Sequence, residues 1–350
     1  MIPRHAKSIL LVRLSARGDV VFASPLAAAI KRSRPDVHLC WIAEERTADV
    51  IQHNPHIDEV IVWERARWKA LLKGGKLVQL FRHIRTFRRT LRRGRFDVAI
   101  DAQGLLRSGA VAFLSGAPLR IGLGSREGSR LLMTRVLPLG GDEREISSEY
   151  KHLARQLRLD PAGFDIEIPP GPANEAFVEE LVMKEGLESG YVVASPFTTR
   201  HFKHWFEDRW SEVLGQLRDR TGRRVVLLGG PDDRPAAERI LAGVQTDAGI
   251  VDLVGRTTLG QASAVVARSD LLVGVDTGLS HMAHGYGRPA VLLFGSNTPY
   301  LDPPTPQAQI LHSGRDCSPC RGRLTCDGRI DCMRDLTVDD ALDAIQRGLT

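Results

Sequence analysis

A chain of 350 residues has the length of two ordinary domains, and 43% hydrophobic against 26% charged residues is a globular balance rather than that of a disordered or fibrous chain. No apolar run approaches the roughly 18 to 20 residues that span a bilayer, and ILLV at 9–12, followed closely by Arg13 and Arg17, is too short for the core of a signal peptide; a cytoplasmic protein is expected. The formal net charge of +6 is unevenly spread, with 29 Lys and Arg against 18 Asp and Glu in residues 1–170, and 19 against 24 in residues 171–350.

The first half alternates short apolar runs with helical patterns. ILLV (9–12), LCWIA (39–43), EVIVW (59–63) and DVAIDA (97–102) read as strands of a parallel, doubly wound sheet. After the first of them, LSARGDVVFASP ends a loop at Gly18 and Asp19 and opens a helix that contains Pro25 and closes at Pro35. Asp19 therefore falls at the carboxyl edge of strand one, where open α/β sheets take their ligands; capping the helix is its competing role. Residues 64–95 carry 12 Lys and Arg against a single acid, Glu64. That is too lopsided for salt-bridged solvation, and it reads as a surface for phosphates, a membrane face or nucleic acid. After DVAIDA, the segment from Gln103 to Arg107 is a polar loop opening a helix at the same edge, and RIGLGSREGSR (120–130) reads as a surface loop.

IPPGP at 168–172 can continue neither a helix nor a central strand and marks the linker, giving domains 1–170 and 171–350. A second βα series follows, with strands at 191–196, 223–230, 250–255, 270–275 and 290–295. The loop after its first strand holds Thr198, Thr199, Arg200, Lys203, His204 and Trp205, a dense set of donors for one turn. GGPDD follows the second strand, and Asp232 or Asp233 there suits a ribose hydroxyl. From Asp270 to Asn297 the chain reads as one βαβ unit, in which Asp276, Thr277 and Gly278 hand a buried strand over to a helix containing His281. A helix N-terminus at that edge favours a phosphate, with capping by Asp276 or Thr277 as the alternative. Cys317, Cys320, Cys326 and Cys332 are spaced C-x2-C-x5-C-x5-C, compatible with a tetrahedral zinc site, with four reduced thiols or with two disulfides. They lie after the last expected strand and outside the ligand edges, so a structural role is expected. No His or carboxylate grouping suggests an open catalytic metal. LTVDDALDAIQRGL, capped by Thr337, reads as the final helix.

LVRLSARGDVVFASP, EER (44–46), ERARWK (64–69), DAQGLLRS (101–108), TTRHFKHW (198–205), GGPDD (229–233) and VDTGLSHMAHGYGRPAVLLFG (275–295) occur in this order. Together they make a chain that resembles, over nearly its full length, the lipopolysaccharide heptosyltransferases of glycosyltransferase family 9. The resemblance implies a GT-B fold of two Rossmann-like domains, the first binding acceptor and the second binding an ADP-sugar donor. It also implies inverting, metal-independent transfer of L-glycero-D-manno-heptose to Kdo of the inner core. Asp19 then matches the general base, with Asp101 as the next carboxylate to consider. Lys203 matches the lysine that meets the donor diphosphate, and Thr198, Thr199, Asp276, Thr277, Gly278 and His281 match the rest of the donor site, with Asp233 as the acidic ribose contact. Apart from the resemblance, the basic charge of the first half makes the 64–95 block, with Arg67 and Lys69, and Arg120 the expected dock for a phosphorylated, carboxylated acceptor at the membrane surface, and Gln103 is placed on the same acceptor side. DAQGLLRS is more similar to members acting on Kdo directly than to those making the second transfer.

The expected partners are an ADP-sugar and Kdo-lipid A, for a monomer peripherally associated with the inner face of the inner membrane, with no cofactor and no nucleic acid. The chemistry agrees, since inverting transfer needs one base and a group to stabilise the departing diphosphate. Another sugar donor or acceptor, a second-heptose transfer, a nucleotide-sugar epimerase of the same architecture and a basic nucleic-acid-binding protein are the other readings.

Overall fold

A computed structural model describes residues 2–142, 144–245, 248–297, 301–302 and 308–350. The chain divides into two compact units, one holding residues up to 142 together with 147–169, the other holding 144–146 and 170 onward. The division falls between Pro169 and Pro170, inside IPPGP, and the short segment 144–146 is tied to the second unit by the Arg144–Asp302 ion pair at 2.9 Å.

The first unit is a six-stranded parallel sheet in the order β3-β2-β1-β4-β5-β6. Its strands are β1 (Ser8–Val12), β2 (His38–Glu44), β3 (Glu59–Trp63), β4 (Val98–Asp101), β5 (Leu119–Leu123) and β6 (Arg135–Leu137). Helices α1 (Arg17–Ala23), α2 (Pro25–Ser33), α3 (Arg65–Lys73), α4 (Leu77–Arg93), α5 (Leu106–Ser115) and α6 (Ser148–Leu157) connect and cover it. Side chains alternate across a strand, so Leu10 and Val12 of β1 share one face with Cys40, Ile42 and Ala99, beneath Leu91, Phe96, Val111 and Ala112 from the helical side. Two sequence expectations need correction here. The single helix through Pro25 is two helices abutting at Ser24, because proline has no N–H to continue the first and its fixed φ suits position one of the second. RIGLGSREGSR is not all surface loop, for its first four residues lie in β5 and Ser129–Leu132 form a 3₁₀ turn. Arginine and glycine within β5 break the apolar run that would have announced it.

The second unit repeats the design. Strands β7 (Tyr191–Ser195), β8 (Arg224–Leu227), β9 (Ile250–Asp252), β10 (Leu271–Val275), β11 (Ala290–Phe294) and β12 (Ala308–His312) form a parallel sheet ordered β12-β11-β10-β7-β8-β9. Helices α7 (Pro172–Glu185), α8 (Glu207–Thr221), α9 (Arg234–Ala242), α10 (Leu259–Arg268), α11 (Gly278–Gly285), α12 (Asp331–Arg334) and α13 (Val338–Leu349) complete it. Val192 and Ala194 of β7 face the layer of Trp210, Leu214, Leu217, Leu342 and Ile345, while Tyr191 and Val193 face that of Val178, Val182 and Val265. A strand buried on both sides is apolar throughout, which is why YVVAS and LLVGV are uninterrupted runs. Counted within each unit, both sheets follow the order 3-2-1-4-5-6, the doubly wound arrangement whose ligand crevice opens between strands 1 and 4 at their carboxyl ends. In the first unit those strands are β1 and β4; in the second they are β7 and β10.

Candidate active site

At the switch point of the second unit, three strand ends converge on one carboxylate. Asp276 directly follows β10 and is 7% exposed. Its Oδ2 lies 2.6 Å from Lys203 Nζ and accepts a 2.6 Å hydrogen bond from Asn297 Nδ2, while its Oδ1 accepts from His281 Nε2 at 3.1 Å. Lys203 comes from the 3₁₀ turn His201–Lys203 after β7, His281 from α11, and Asn297 from the chain leaving β11. Burial would raise the Asp276 carboxyl, but the His281 hydrogen bond and charge, joined by Lys203, outweigh it and hold the group below the usual carboxylate range. Asp276 is thus the hub that aims Lys203 and His281. An ammonium has three N–H donors, and among the described residues Asp276 is the one recorded side-chain partner of Lys203.

The same hub lies at the start of α11. Thr277 occupies the N-cap position with extended backbone, yet its side chain makes no capping hydrogen bond. The first N–H groups of α11, from Gly278 onward, therefore lack the usual side-chain acceptor, and the positive end of the helix faces the edge where Lys203 sits. Thr198 donates weakly to the Asp276 carbonyl at 3.4 Å, its own carbonyl accepts from His204 Nε2 at 2.8 Å, and Thr199 is exposed beside it. Asp233 stands one strand over, after β8, where its Oδ2 accepts from the Gly230 N–H at 2.7 Å and so shapes its own turn. Asn297 closes the quoted Asp270–Asn297 stretch but was not singled out; a polar residue just past a buried strand at the ligand edge was the available signal.

At the corresponding crevice of the first unit, Asp19 is in the first turn of α1, and its side chain is 48% exposed. Its Oδ2 is held by Arg13 Nη2 at 2.6 Å and by the Ala16 N–H at 3.1 Å, while Oδ1 has no recorded hydrogen bond among the described residues. Arg13 is itself buried, donates to the Ala102 carbonyl at 3.3 Å and lies over the Tyr150 ring at 5.7 Å. The DAQGLLRS block supports this loop. Asp101 is fully buried, accepting from the N–H groups of Gln103 and Gly104 and from the Ser108 hydroxyl, each at 3.0 Å. Burial raises its carboxyl against the pull of those three bonds. With both oxygens engaged, Asp101 holds a turn and is a poor candidate for a base. Gln103 Oε1 accepts the Leu14 N–H at 2.9 Å, so it too is committed to the Asp19 loop. Gly104 has φ +68°, and a Cβ there would lie 2.2 Å from the Leu123 carbonyl, so glycine is required.

Three residues at this edge lay inside the quoted motifs without a role assigned to them. Arg107 donates to Ser15 Oγ at 2.8 Å and lies 3.8 Å from Glu44, which Arg65 meets from the other side at 3.3 Å. Arg67 and Lys69 project from α3, which follows β3 at the same carboxyl edge; Arg67 lies 3.5 Å from Glu64 and Lys69 is exposed. Arg120 is not brought to this site. It sits early in β5, with Nε and Nη1 donating to the carbonyls of Leu132 and Ala117 at 2.8 and 2.7 Å, and its guanidinium braces the β5–β6 connection. The four clustered cysteines are unpaired thiols, and among the described residues no group of three His, Cys, Asp or Glu is placed to hold a metal ion. Their expected distance from the ligand edge needs correction. Their loop folds back onto the carboxyl end of β11, where Arg321 N donates to the Ser296 carbonyl at 2.7 Å, and Ser296 Oγ donates to the Phe202 carbonyl in the Lys203 turn at 3.1 Å.

Two doubly wound units, each with polar and charged groups gathered at its switch point, make the GT-B fold. A family model described as glycosyltransferase family 9 (heptosyltransferase) matches residues 84–330, and the chain belongs to that family. Lipopolysaccharide heptosyltransferase 1 of Salmonella typhimurium is 28% identical over 304 residues, covering 84% of this chain and 90% of the relative. The protein of that name from Pseudomonas aeruginosa is 27% identical over 330 residues, covering 91% and 87%. Among solved structures, the E. coli heptosyltransferase WaaC with ADP-2-deoxy-2-fluoro heptose aligns with a TM-score of 0.75 at 24% identity, over 97% of this chain and 99% of that one.

Proposed function

We propose that the protein transfers L-glycero-D-manno-heptose from ADP-heptose to Kdo of the lipopolysaccharide inner core, with inversion at the transferred carbon. The observation that carries the donor half is the Asp276 hub, which holds Lys203 beside the uncapped start of α11. A diphosphate gains there from the ammonium, from free N–H groups and from the helix dipole, and the same groups stabilise the charge that develops as ADP departs. Thr198, Thr199, Gly278 and His281 border that anion site, and Asp233, one strand away, offers its second oxygen to the ribose. The names of the matched relatives, which are lipopolysaccharide heptosyltransferases, support heptose as the sugar and the lipopolysaccharide core as the acceptor.

On the acceptor side, Asp19 takes the hydroxyl proton on its unengaged Oδ1 while Arg13 fixes the carboxylate through Oδ2. Arg67 and Lys69 draw in the carboxylated, phosphorylated acceptor, and Gln103 keeps the Asp19 loop in place. Among the described residues no helix is long and apolar enough to cross a membrane, so access to a lipid-linked acceptor is by peripheral association. Calorimetric titration with ADP, UDP and GDP tests the donor assignment. Selective binding of ADP is expected, and a preference for UDP would overturn it. Consumption of ADP-heptose in the absence of any acceptor, without hydrolysis, would indicate an epimerase instead.

A further inference from the structure

The arginine-rich segment has more charge than acceptor binding uses. It folds as α3 and α4 joined at Gly74 and Gly75. α4 turns Leu80, Ile84, Phe87 and Leu91 inward, at spacings of three and four, and of these only Leu91 is fully buried. The same periodicity sets Val78, Phe81, Arg85, Arg89 and Arg92 along the opposite, outward stripe. Two features of that stripe lack partners. Near the turn, Leu72, Leu77, Val78 and Phe81 are 59–68% exposed. Farther along, a shallow hollow is lined by arginine alone, from Arg85, Arg88, Arg89, Arg92, Arg93 and Arg95. Among the described residues none of the six arginines has a recorded ion pair. Like charges around one hollow repel each other, and anions from outside relieve that repulsion.

We propose that the outer face of α4 and the α3–α4 turn dock on a bilayer containing anionic phospholipid. The arginine hollow takes lipid phosphates, while Leu72, Leu77, Val78 and Phe81 enter the boundary between headgroups and acyl chains. A basic ridge and an apolar tip on one helix face supply the two signals that stable interfacial binding requires. A nucleic acid would satisfy the arginines but leave the aliphatic tip in water, so the bilayer is the better fit. The inference deepens the reading of a lipid-linked acceptor, yet the binding itself involves neither donor nor acceptor.

The test is co-sedimentation of the full chain with vesicles of phosphatidylcholine alone and of equimolar phosphatidylcholine and phosphatidylglycerol, at low and high salt. Binding is expected only to the anionic vesicles, weakening with salt. The double change Arg85→Glu, Arg89→Glu should lower partitioning at least about tenfold, and Phe81→Ser with Val78→Ser should weaken it as well. Arg85→Gln with Arg89→Gln, a milder change on the same exposed face, carries the test if the glutamate variant fails to fold. Equal binding to neutral vesicles, or indifference to the arginine changes, would overturn the proposal. So would anionic binding that ignores Phe81 and Val78, above all if RNA competes it away, because a plain polyanion surface would then suffice. Transfer to a delipidated, water-soluble Kdo acceptor should be unchanged in all these variants. A parent that fails to bind anionic vesicles yet carries out that transfer refutes docking alone, and a parent that binds them without that transfer refutes the proposed activity alone.

Discussion

Asp276→Asn is the most informative single change in the proposed donor site. The substitution keeps the shape but removes the charge, and an amide presents an N–H2 group to one side where the carboxylate accepted on both. Asp276 takes Lys203 and Asn297 on one oxygen and His281 on the other, so either orientation of the amide sets donor against donor. Removing one partner of a buried ion pair costs about 3 to 5 kcal/mol. Lys203 keeps 19% of its side chain exposed and can turn partly to water, which argues for the lower end, about 3 kcal/mol. At roughly 2 to 4 °C per kcal/mol for a unit of this size, the second unit should melt about 6 to 12 °C lower. Lys203, no longer tethered, should also bind diphosphate less well, with ADP affinity falling at least about tenfold. Differential scanning calorimetry with and without ADP reads both effects. A variant that melts within about 2 °C of the parent and keeps its ADP affinity would refute the hub.

Charge reversal at Arg67 and Lys69 should raise the KM for acceptor, less so at high salt, with ADP affinity unchanged; an unaltered KM would leave these side chains a role in solubility only. Burial, with the charge of His281 beside it, lowers the His284 ring to about 3, and neither ring nitrogen has a recorded partner. The unfolded chain protonates His284 near 6.5, so its contribution to stability is full above about pH 6.5 and is lost as pH falls toward 3, at about 1.4 kcal/mol per unit. His284→Leu should flatten the acid slope of unfolding free energy by about one proton between roughly pH 6 and 4, and a slope equal to the parent's would contradict this. Cys317→Ser with Cys320→Ser should lower the melting temperature while kcat stays within a few-fold, and lost activity at unchanged melting temperature would assign the thiols to the chemistry.

Nine of the twelve strands among the described residues were legible, because a parallel strand covered on both faces must be an apolar run. β5, β6 and β12 escaped: β5 starts with Arg120 and contains glycine, β6 is three residues long, and β12 is only half-covered beyond Ala308. Candidate site residues were legible where a strand visibly ends in a polar loop, as at Asp19, Lys203 and Asp276. What each one touches was not, since Gln103 meets Leu14 and Lys203 meets Asp276 across separations that periodicity does not encode. Arg120 shows the opposite error. Its charge suggested acceptor binding, but the sheet register pairs it with Ala99, before the carboxyl end of β4. The cysteine loop was misplaced because nothing in its spacing indicates that Arg321 returns to Ser296.

The transfer reaction itself, with Asp19 as its base, is tested most directly by incubating parent and Asp19→Asn with ADP-heptose and a Kdo-terminated acceptor and following the product by mass spectrometry. An asparagine oxygen at this third position of α1 can still accept from the Ala16 N–H and from Arg13, but the ion pair with buried Arg13 is lost, so the variant should melt somewhat lower while ADP affinity matches the parent's and proton acceptance is removed. The parent should add one heptose to Kdo, and the variant should do so at a kcat lower by about a hundredfold or more. No heptosylated product from the parent, or turnover by Asp19→Asn within a few-fold of it, would contradict the account.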